Sequence, residues 1–193
     1  MAGEFPEVKD FFRYFRANSL QIKNNANVIV REPDFGFSDP SLFRIMGIEF
    51  ISGGPAGSPG EVAISDESAI KYFGNLSPLG AILNVKFADG LTGLSVSGVY
   101  KSFPSNSTLS PDFIADLKLA DRVFRQFQRS LGDFGTEDRH SFEWGFSEFM
   151  SYVKLERNAD PDVLATKMEK YKELMKNETT DDIKFKLQPV SDI

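Results

Sequence analysis

The sequence predicts an α+β fold, and three observations on the 193-residue chain carry this prediction. The stretch from Val62 to Leu83 reads as a strand, a helix, a turn and a second strand. Asp89-Gly90 then lies between two apolar stretches, which is a strong signal for a β-hairpin. From residue 113 onwards the pattern reads strand–helix–strand–helix–strand. Together these patterns predict strands and helices that pack around a common core.

The stretch from Val62 to Leu83 carries its own start and stop signals. Val62–Ile64 is a short apolar run typical of a buried strand. Ser65 is a good N-cap, and the two acidic residues after it suit the positive end of a helix. Gly74 can close the helix in the left-handed conformation. The chain contains no internal repeat and no low-complexity segment.

The N-terminal part leaves two alternatives open. Phe5–Arg16 is compatible with a helix that starts near Pro6, but Phe11–Phe15 also suits a strand. Ser19–Arg31 alternates partly and predicts a hairpin with Asn24-Asn25 at its turn.

Residues 35–60 predict short elements joined by loops. We expect Phe35–Asp39 to be a loop, and Asp39 to cap a short helix that stops at Gly47. Ile48–Ile51 predicts a brief strand. Ser52–Gly60 is rich in Gly and Pro and predicts a loop.

Two strands follow, Ala81–Phe87 and Leu91–Phe103. Simple alternation along the second strand predicts that one face carries Leu94, Val96, Gly98 and Tyr100. Phe113–Leu119 predicts a further strand.

The C-terminal part predicts a helix over Asp121–Leu131 and a surface excursion over Gly132–Gly145. Phe149–Leu155 predicts a strand. Asp160 opens a strongly periodic helix, and Ile183–Leu187 predicts a last strand.

Composition excludes several classes of function. Hydrophobic residues make up 41% of the chain, and 19 of its residues are Phe, which is enough to form a core. The net charge of −6 argues against a nucleic-acid partner, which needs a basic face. The absence of Cys excludes disulfides, thiol catalysis and cysteine–zinc sites. No apolar run reaches the roughly 18 residues of a membrane span.

Motifs for catalysis or cofactor binding are not apparent. His140, the only histidine, has no catalytic or metal-binding motif around it, and we interpret it as an exposed loop residue. Asp133, Glu137 and Asp138 lie nearby, but their spacing matches no EF-hand loop. The glycines of residues 53–57 lack the Lys and Ser/Thr of a phosphate-binding loop. We therefore predict no catalytic residue, no cofactor and no metal ligand.

A set of motifs in order resembles a known family. The central motif is Val62-Ala63-Ile64-Ser65 followed by Tyr72-Phe73-Gly74 and Pro78-Leu79-Gly80. Asp39-Pro40-Ser41-Leu42-Phe43 precedes it, and Val96-Ser97-Gly98-Val99-Tyr100-Lys101 follows it. This set resembles the MacB-like periplasmic core domain of FtsX-like permeases of ABC transporters, in a form similar to those of Bacteroidetes-type bacteria. The resemblance covers nearly the whole chain.

The resemblance implies two lobes. Residues 1–34 plus 111–193 would form a Porter-like lobe that contains a βαβ unit, and residues 35–110 would form a smaller, mostly β lobe inserted into it. The family usually has a strand before Phe5–Arg16, and that strand is not recognisable here.

The resemblance also implies a function. The parent protein would be integral to the bacterial inner membrane, with this soluble part on the periplasmic side. A separate cytoplasmic ATPase would drive movement of the membrane helices, and the domain would transmit it to a periplasmic or outer-membrane protein or lipoprotein. The chain itself would not be an enzyme. The alternatives are a ligand- or peptide-binding module that uses the cleft between the lobes, and a hydrolase with an unusual site.

Exposed loop tips are the best candidates for partner contacts, since loops on a rigid scaffold usually carry them. The candidate contact residues are Pro55 and Pro59 in one loop and Phe142, Trp144 and Phe146 in the excursion.

Overall fold

The computed structural model describes residues 4–17, 19–23, 28–87, 89–120, 122–123, 149–172 and 184–192. The β-strands in these ranges are β1 Val8–Ala17, β2 Leu20–Lys23, β3 Ile29–Glu32, β4 Phe35–Ser38, β5 Phe50–Gly53, β6 Glu61–Ser65, β7 Ile82–Phe87, β8 Gly90–Tyr100, β9 Phe113–Asp116 and β10 Met150–Leu155. The α-helices are α1 Ser41–Met46, α2 Asp66–Phe73 and α3 Pro161–Met168, and 3₁₀ turns cover Leu117–Leu119, Glu169–Tyr171 and Val190–Asp192. No helix among these described residues is long and apolar enough to cross a membrane.

All ten of these strands join one mixed sheet. The strand order is β10-β1-β4-β9-β6-β8-β7-β2-β3, and β5 pairs with β8 beside this path. The β4–β9 and β6–β8 pairs are parallel, and the other pairs are antiparallel. A large mixed sheet with few helices confirms the predicted α+β class.

The hydrophobic core lies on both faces of the sheet. Residues that alternate along β6 and β9 divide between two clusters: Val62 and Phe113 belong to one, and Ala63 and Ile114 to the other. Helix α2 covers the first cluster through partly buried side chains such as Tyr72, while α1 contributes side chains to the second. Strands buried on both faces lose their alternation, and all four residues of β4 and of β9 are buried.

Local signals predicted several elements correctly. Ser65 caps α2, since its Oγ accepts a hydrogen bond from the Ser68 N–H at 3.1 Å. Asp160 caps α3 in the same way. Strands β2 and β3 form the predicted hairpin, although its turn lies outside the described residues, and β7 and β8 pair up to Phe87 and Gly90.

The prediction of a loop over Phe35–Asp39 is wrong. These residues include β4, which lies between β1 and β9 near the middle of the sheet. Gly36 in this strand makes room for an aromatic ring: a Cβ at this position would lie 2.5 Å from Cε2 of Tyr14. The N-terminal segment is also extended, because Val8–Ala17 forms β1 rather than a helix.

We had predicted that Asp39 caps α1, but it does not. No side chain caps this helix. The carboxylate of Asp39 instead accepts hydrogen bonds from the backbone N–H of Arg13 and from its guanidinium, at 2.8–2.9 Å. Asp39 therefore fastens the start of the helix to β1. The helix ends at Gly47, which has a φ of 71°.

The predicted face of β8 is correct only up to Val96. Val62 pairs with Val96 and the next residue, Ala63, pairs with Gly98, so β8 contains one extra residue at this point. This bulge reverses the alternation. Val99 consequently joins the cluster that contains Val96, and Tyr100 joins the cluster on the opposite face.

Other boundaries also differ from prediction. The strand predicted over Phe113–Leu119 ends at Asp116, whose carboxylate accepts a hydrogen bond from the Lys118 N–H and begins a 3₁₀ turn. Of the last predicted strand, residues 184–187 lie outside any strand. Most of the helix predicted over Asp121–Leu131, and the whole excursion over Gly132–Gly145, lie outside the described residues.

The two predicted lobes would share this sheet. Strand β4 begins at the predicted boundary and would belong to the inserted lobe, yet it lies between β1 and β9, which would belong to the Porter-like lobe. The division at residues 34/35 and 110/111 stays a prediction.

Candidate functional site

The loop between β5 and β6 carries two of the predicted contact residues. Pro55 and Pro59 are exposed, while Ala56 between them is only 4% exposed. The base of the loop is held against β8, since Gly54 N–H donates to the Ser97 carbonyl and the Ser97 hydroxyl donates to the Gly54 carbonyl, both at 3.1 Å. The loop therefore presents its prolines from a fixed position.

The aromatic part of the predicted contact set lies outside the described residues. Phe142, Trp144 and Phe146 belong to this part, and so does His140. Their role in partner contacts stays a prediction, as does that of Pro55 and Pro59.

An apolar cavity of about 580 Å³ lies at the β10 edge of the sheet. Strand β10, helix α3 and residues 185–190 form its walls, and Phe5 and Val8 also contribute. Among the described residues that line it, Lys186 is the one that carries a charge. All the lining residues belong to segments 1–34 and 111–193, so this cavity does not correspond to the inter-lobe cleft of the alternative function.

A buried acidic group joins β3 to α2. Glu32 is only 2% exposed, and its carboxylate accepts hydrogen bonds from Lys71 Nζ at 2.7 and 3.0 Å and from the Tyr72 hydroxyl. Burial, together with the hydrogen bond to Glu32, raises the pKa of the Tyr72 hydroxyl far above its usual range. Tyr72 therefore stays protonated and acts as a hydrogen-bond donor. This group could not be predicted from the sequence because its members lie on separate elements.

Asp112 lies near this group, and its negative charge is unfavourable there. Burial raises the pKa of its carboxyl, and the neighbouring carboxylates of Asp34, Glu32 and Glu67 raise it further. The Ser65 hydroxyl opposes this effect by donating a hydrogen bond to Asp112 at 3.0 Å.

The hydroxyl groups around these carboxylates form hydrogen bonds within the chain. Ser65 caps α2 as well as contacting Asp112, and the Ser102 hydroxyl donates to Asp66 at 2.5 Å. The Tyr100 hydroxyl donates to the Pro111 carbonyl at 2.7 Å. Within the described ranges, no group of three or more His, Cys, Asp or Glu side chains could hold a metal ion. The arrangement fastens helices and loops to the sheet.

Comparison with known proteins identifies the family of the chain. The sequence matches the family described as the MacB-like periplasmic core domain over residues 1–171. No curated protein matches the chain.

Three solved structures resemble the chain. One is a domain assigned to a permease protein from Porphyromonas gingivalis, with a TM-score of 0.67 and 18% identity over 92% of this chain and 68% of that chain. The periplasmic region of MacB from Actinobacillus actinomycetemcomitans has a TM-score of 0.58 and 13% identity over 92% of this chain and 72% of its own. The extracellular domain of the noncanonic ABC-type transporter YknZ from Gram-positive bacteria has a TM-score of 0.51 and 17% identity over 89% and 76%. At these identities the structures show a shared fold.

Proposed function

The chain belongs to the MacB-like periplasmic core domain family, and from this membership we propose that it transmits ATP-driven movement of a permease to a partner outside the cytoplasm. The family consists of periplasmic domains of ABC transporter permeases, which work with a cytoplasmic ATPase, so the chain lies on the periplasmic side of the inner membrane. We assign the chain no reaction of its own, because the family is a transporter domain family.

The observation that carries the proposal is the meeting of both terminal segments in one hydrophobic cluster. This terminal cluster consists of Phe5, Val8 and Leu164, with partly buried residues that include Tyr171 and Leu187. The rings of Phe5 and Tyr171 lie 6.1 Å apart in an edge-to-face arrangement, and Glu156 N–H donates to the Glu7 carbonyl at 2.8 Å.

Ion pairs add to this connection between the two ends. Lys167 pairs with Glu7, and Lys170 Nζ lies 3.1 Å from a carboxylate oxygen of Glu4. Exposed pairs of this kind contribute little energy individually, and the hydrophobic contacts supply most of the stability. Membrane helices attached on either side of the domain would therefore act on the same small part of it.

The sheet supports the transmission of movement away from this cluster. Strands β1 and β10 pair next to the terminal cluster, and the hydrogen-bonded sheet continues without a break to β3 at the other end of the strand order. Displacement of β1 would break backbone hydrogen bonds unless the neighbouring strands moved with it. We propose that the described sheet moves as one body, and that the two predicted lobes are joined through it. The partner would be a periplasmic or outer-membrane protein or a lipoprotein.

The proposal can be tested with spin labels in the full-length parent permease, reconstituted in liposomes with its ATPase. The chain has no Cys, so labels can be attached to cysteines introduced at chosen exposed positions. A pair at Lys9 on β1 and Asn84 on β7 reports distances within the sheet, and a label at Asn84 alone reports distance to spin-labelled lipid.

We expect ATP hydrolysis to leave the distance between Lys9 and Asn84 unchanged and to alter the distance from Asn84 to the lipid. A parent permease that hydrolyses ATP while neither distance changes would contradict transmission by this domain. A large change between Lys9 and Asn84 would show that the sheet does not move as one body.

A further inference from the structure

One face of the sheet near the β3 edge is exposed and carries cations from three strands. Backbone pairing sets Lys23 of β2 opposite Ile29 and Asn84, and sets Gln21 opposite Arg31 and Lys86. Residues paired in this way point to the same face of a sheet. Arg31, Lys23 and Lys86 therefore share one face, which we call the cationic face.

The three cations lie close together. Arg31 and Lys86 flank Gln21 in one row across the strands, so their Cα atoms are about 10 Å apart. Lys23 is two residues further along β2, at roughly 8 Å from each of them. The cations thus form a compact triangle.

Their charges are not compensated by ion pairs in the part of the chain that the structure describes. Glu61, the described acidic residue of this face that is nearest in the strand order, pairs with Ser95 two strands from Lys86 and accepts a hydrogen bond from Gly57 N–H. Asp89, in the adjacent turn, is paired with Arg122. Three neighbouring cations without an ion-pair partner among the described residues are unexpected in a chain with a net charge of −6.

Exposed aliphatic side chains surround the cations. Ile29 is 53% exposed, and Ile82 and Leu91 are each 52% exposed. Leu91 pairs with Lys86, and Ile29 pairs with Lys23. A mixture of uncompensated charge and apolar area is typical of the contact surface for another protein.

We propose that the cationic face binds an acidic segment of a partner protein on the periplasmic side. Complementary charge would guide such a segment to the triangle, and the aliphatic side chains would contact its apolar residues. That the cationic face is turned toward a periplasmic partner rests on the proposed function. Its attraction for an acidic segment depends only on the residues of the face.

The test measures binding of a fluorescein-labelled oligo-glutamate peptide to the purified chain by fluorescence anisotropy at low ionic strength. One variant combines Lys23→Gln, Arg31→Gln and Lys86→Gln. The matched control combines Lys9→Gln, Lys154→Gln and Lys184→Gln, which alter exposed residues and change the net charge equally. Thermal unfolding of both variants checks that they fold like the parent chain.

We expect the peptide to bind the unmodified chain, to bind the first variant about tenfold more weakly, and to bind the control nearly unchanged. Salt should weaken the binding. Equal weakening in both variants, or no binding to the unmodified chain, would overturn the proposal. Binding of phosphatidylglycerol vesicles through the same three cations, without binding of the peptide, would assign the face to lipid instead.

The outcome is separable from that of the proposed function. Movement of the spin labels without peptide binding would leave transmission intact and remove the cationic face as the contact surface. Peptide binding without movement of the labels would keep the cationic face as a contact surface and contradict transmission.

Discussion

The replacement Gly98→Ala should strongly destabilise the protein because β8 and the loop before β6 approach each other closely at this position. A Cβ on Gly98 would lie 2.3 Å from the Gly54 carbonyl oxygen, 2.6 Å from the Gly54 nitrogen and 2.8 Å from Cε1 of Phe50. Two of these three contacts involve backbone atoms, which cannot rotate away as a side chain can. The methyl group therefore requires separation of the two segments.

The cost follows from the contacts that this separation disrupts. Extra volume in a packed region costs about 1–3 kcal/mol. The two hydrogen bonds between Gly54 and Ser97 contribute about 1 kcal/mol each if they are lost. Ala reduces the conformational entropy of the unfolded chain relative to Gly and returns roughly 0.4–1 kcal/mol. We expect a net loss of about 2–4 kcal/mol in the free energy of unfolding.

Gly93→Ala in the same strand is a matched control. Its Cβ would come within 3 Å of only one atom, the Cγ2 methyl of Ile82 at 2.8 Å. Ile82 is 52% exposed, so its side chain can move. We expect this variant to unfold within about 0.5 kcal/mol of the parent chain.

Urea denaturation followed by circular dichroism measures both variants. Gly98→Ala should also lower the thermal midpoint by about 5–15 °C for a chain of this size. Equal stability of the two variants would refute the close approach between β8 and residue 54. It would also remove the fixed base that we attribute to the loop carrying Pro55 and Pro59.

Three further changes test the polar contacts around α2, each by urea denaturation. Lys71→Met should cost about 1–2 kcal/mol of stability, because Lys71 is half-exposed but its partner Glu32 stays buried without it. Adding Glu32→Gln should recover part of this loss. Additive effects of the two changes would exclude coupling between the two residues. Ser65→Ala should cost about 1–2 kcal/mol because the Ser68 N–H loses its cap, and a change below about 0.3 kcal/mol would contradict that role. Burial and neighbouring carboxylates raise the pKa of the Asp112 carboxyl in the folded chain. The carboxyl therefore stabilises the fold fully when the pH is below its unfolded-state pKa near 4, and this stabilisation is lost as the pH rises through the folded-state pKa. Asp112→Asn should therefore increase stability by roughly 0.5 kcal/mol at pH 7 and have no such benefit near pH 3, whereas a benefit equal at both pH values would exclude this cause.

Features whose causes lie within a few residues could be predicted from the sequence. The caps at Ser65 and Asp160 depend on backbone N–H groups two or three positions away, and the hairpin at Asp89-Gly90 depends on its own turn. The order of such local motifs, compared with a known family, was enough to predict the fold class.

Features caused by distant neighbours could not be predicted in this way. Gly36 resembles a loop residue until the ring of Tyr14 is placed against it. The bulge in β8 appears only when Ala63 is paired with Gly98, and it reverses the direction of every side chain that follows.

The candidate site also depends on distant neighbours. Lys23, Arg31 and Lys86 do not form a basic cluster in the sequence, and they become neighbours only through the register of three strands. The predicted contact residues were chosen from loops, where sequence signals for exposure are strongest. An exposed sheet face gives a weaker signal, since its polar residues alternate with buried ones as they do on any surface strand.

Strand β9 joins the two halves of the strand order. It pairs with β4 on one side and β6 on the other, so Phe37, Ala115 and Val62 lie in one row across three strands. The strands on the β4 side include β1 and β10, which adjoin the terminal cluster, and those on the β6 side include β7, β2 and β3 with the cationic face. Two short chain connections join the same halves, because β2 starts three residues after β1 ends and β4 starts three residues after β3 ends. The proposed movement would therefore reach the cationic face through these connections as well as through β9. Complete burial of β9 protects its hydrogen bonds from competition with water.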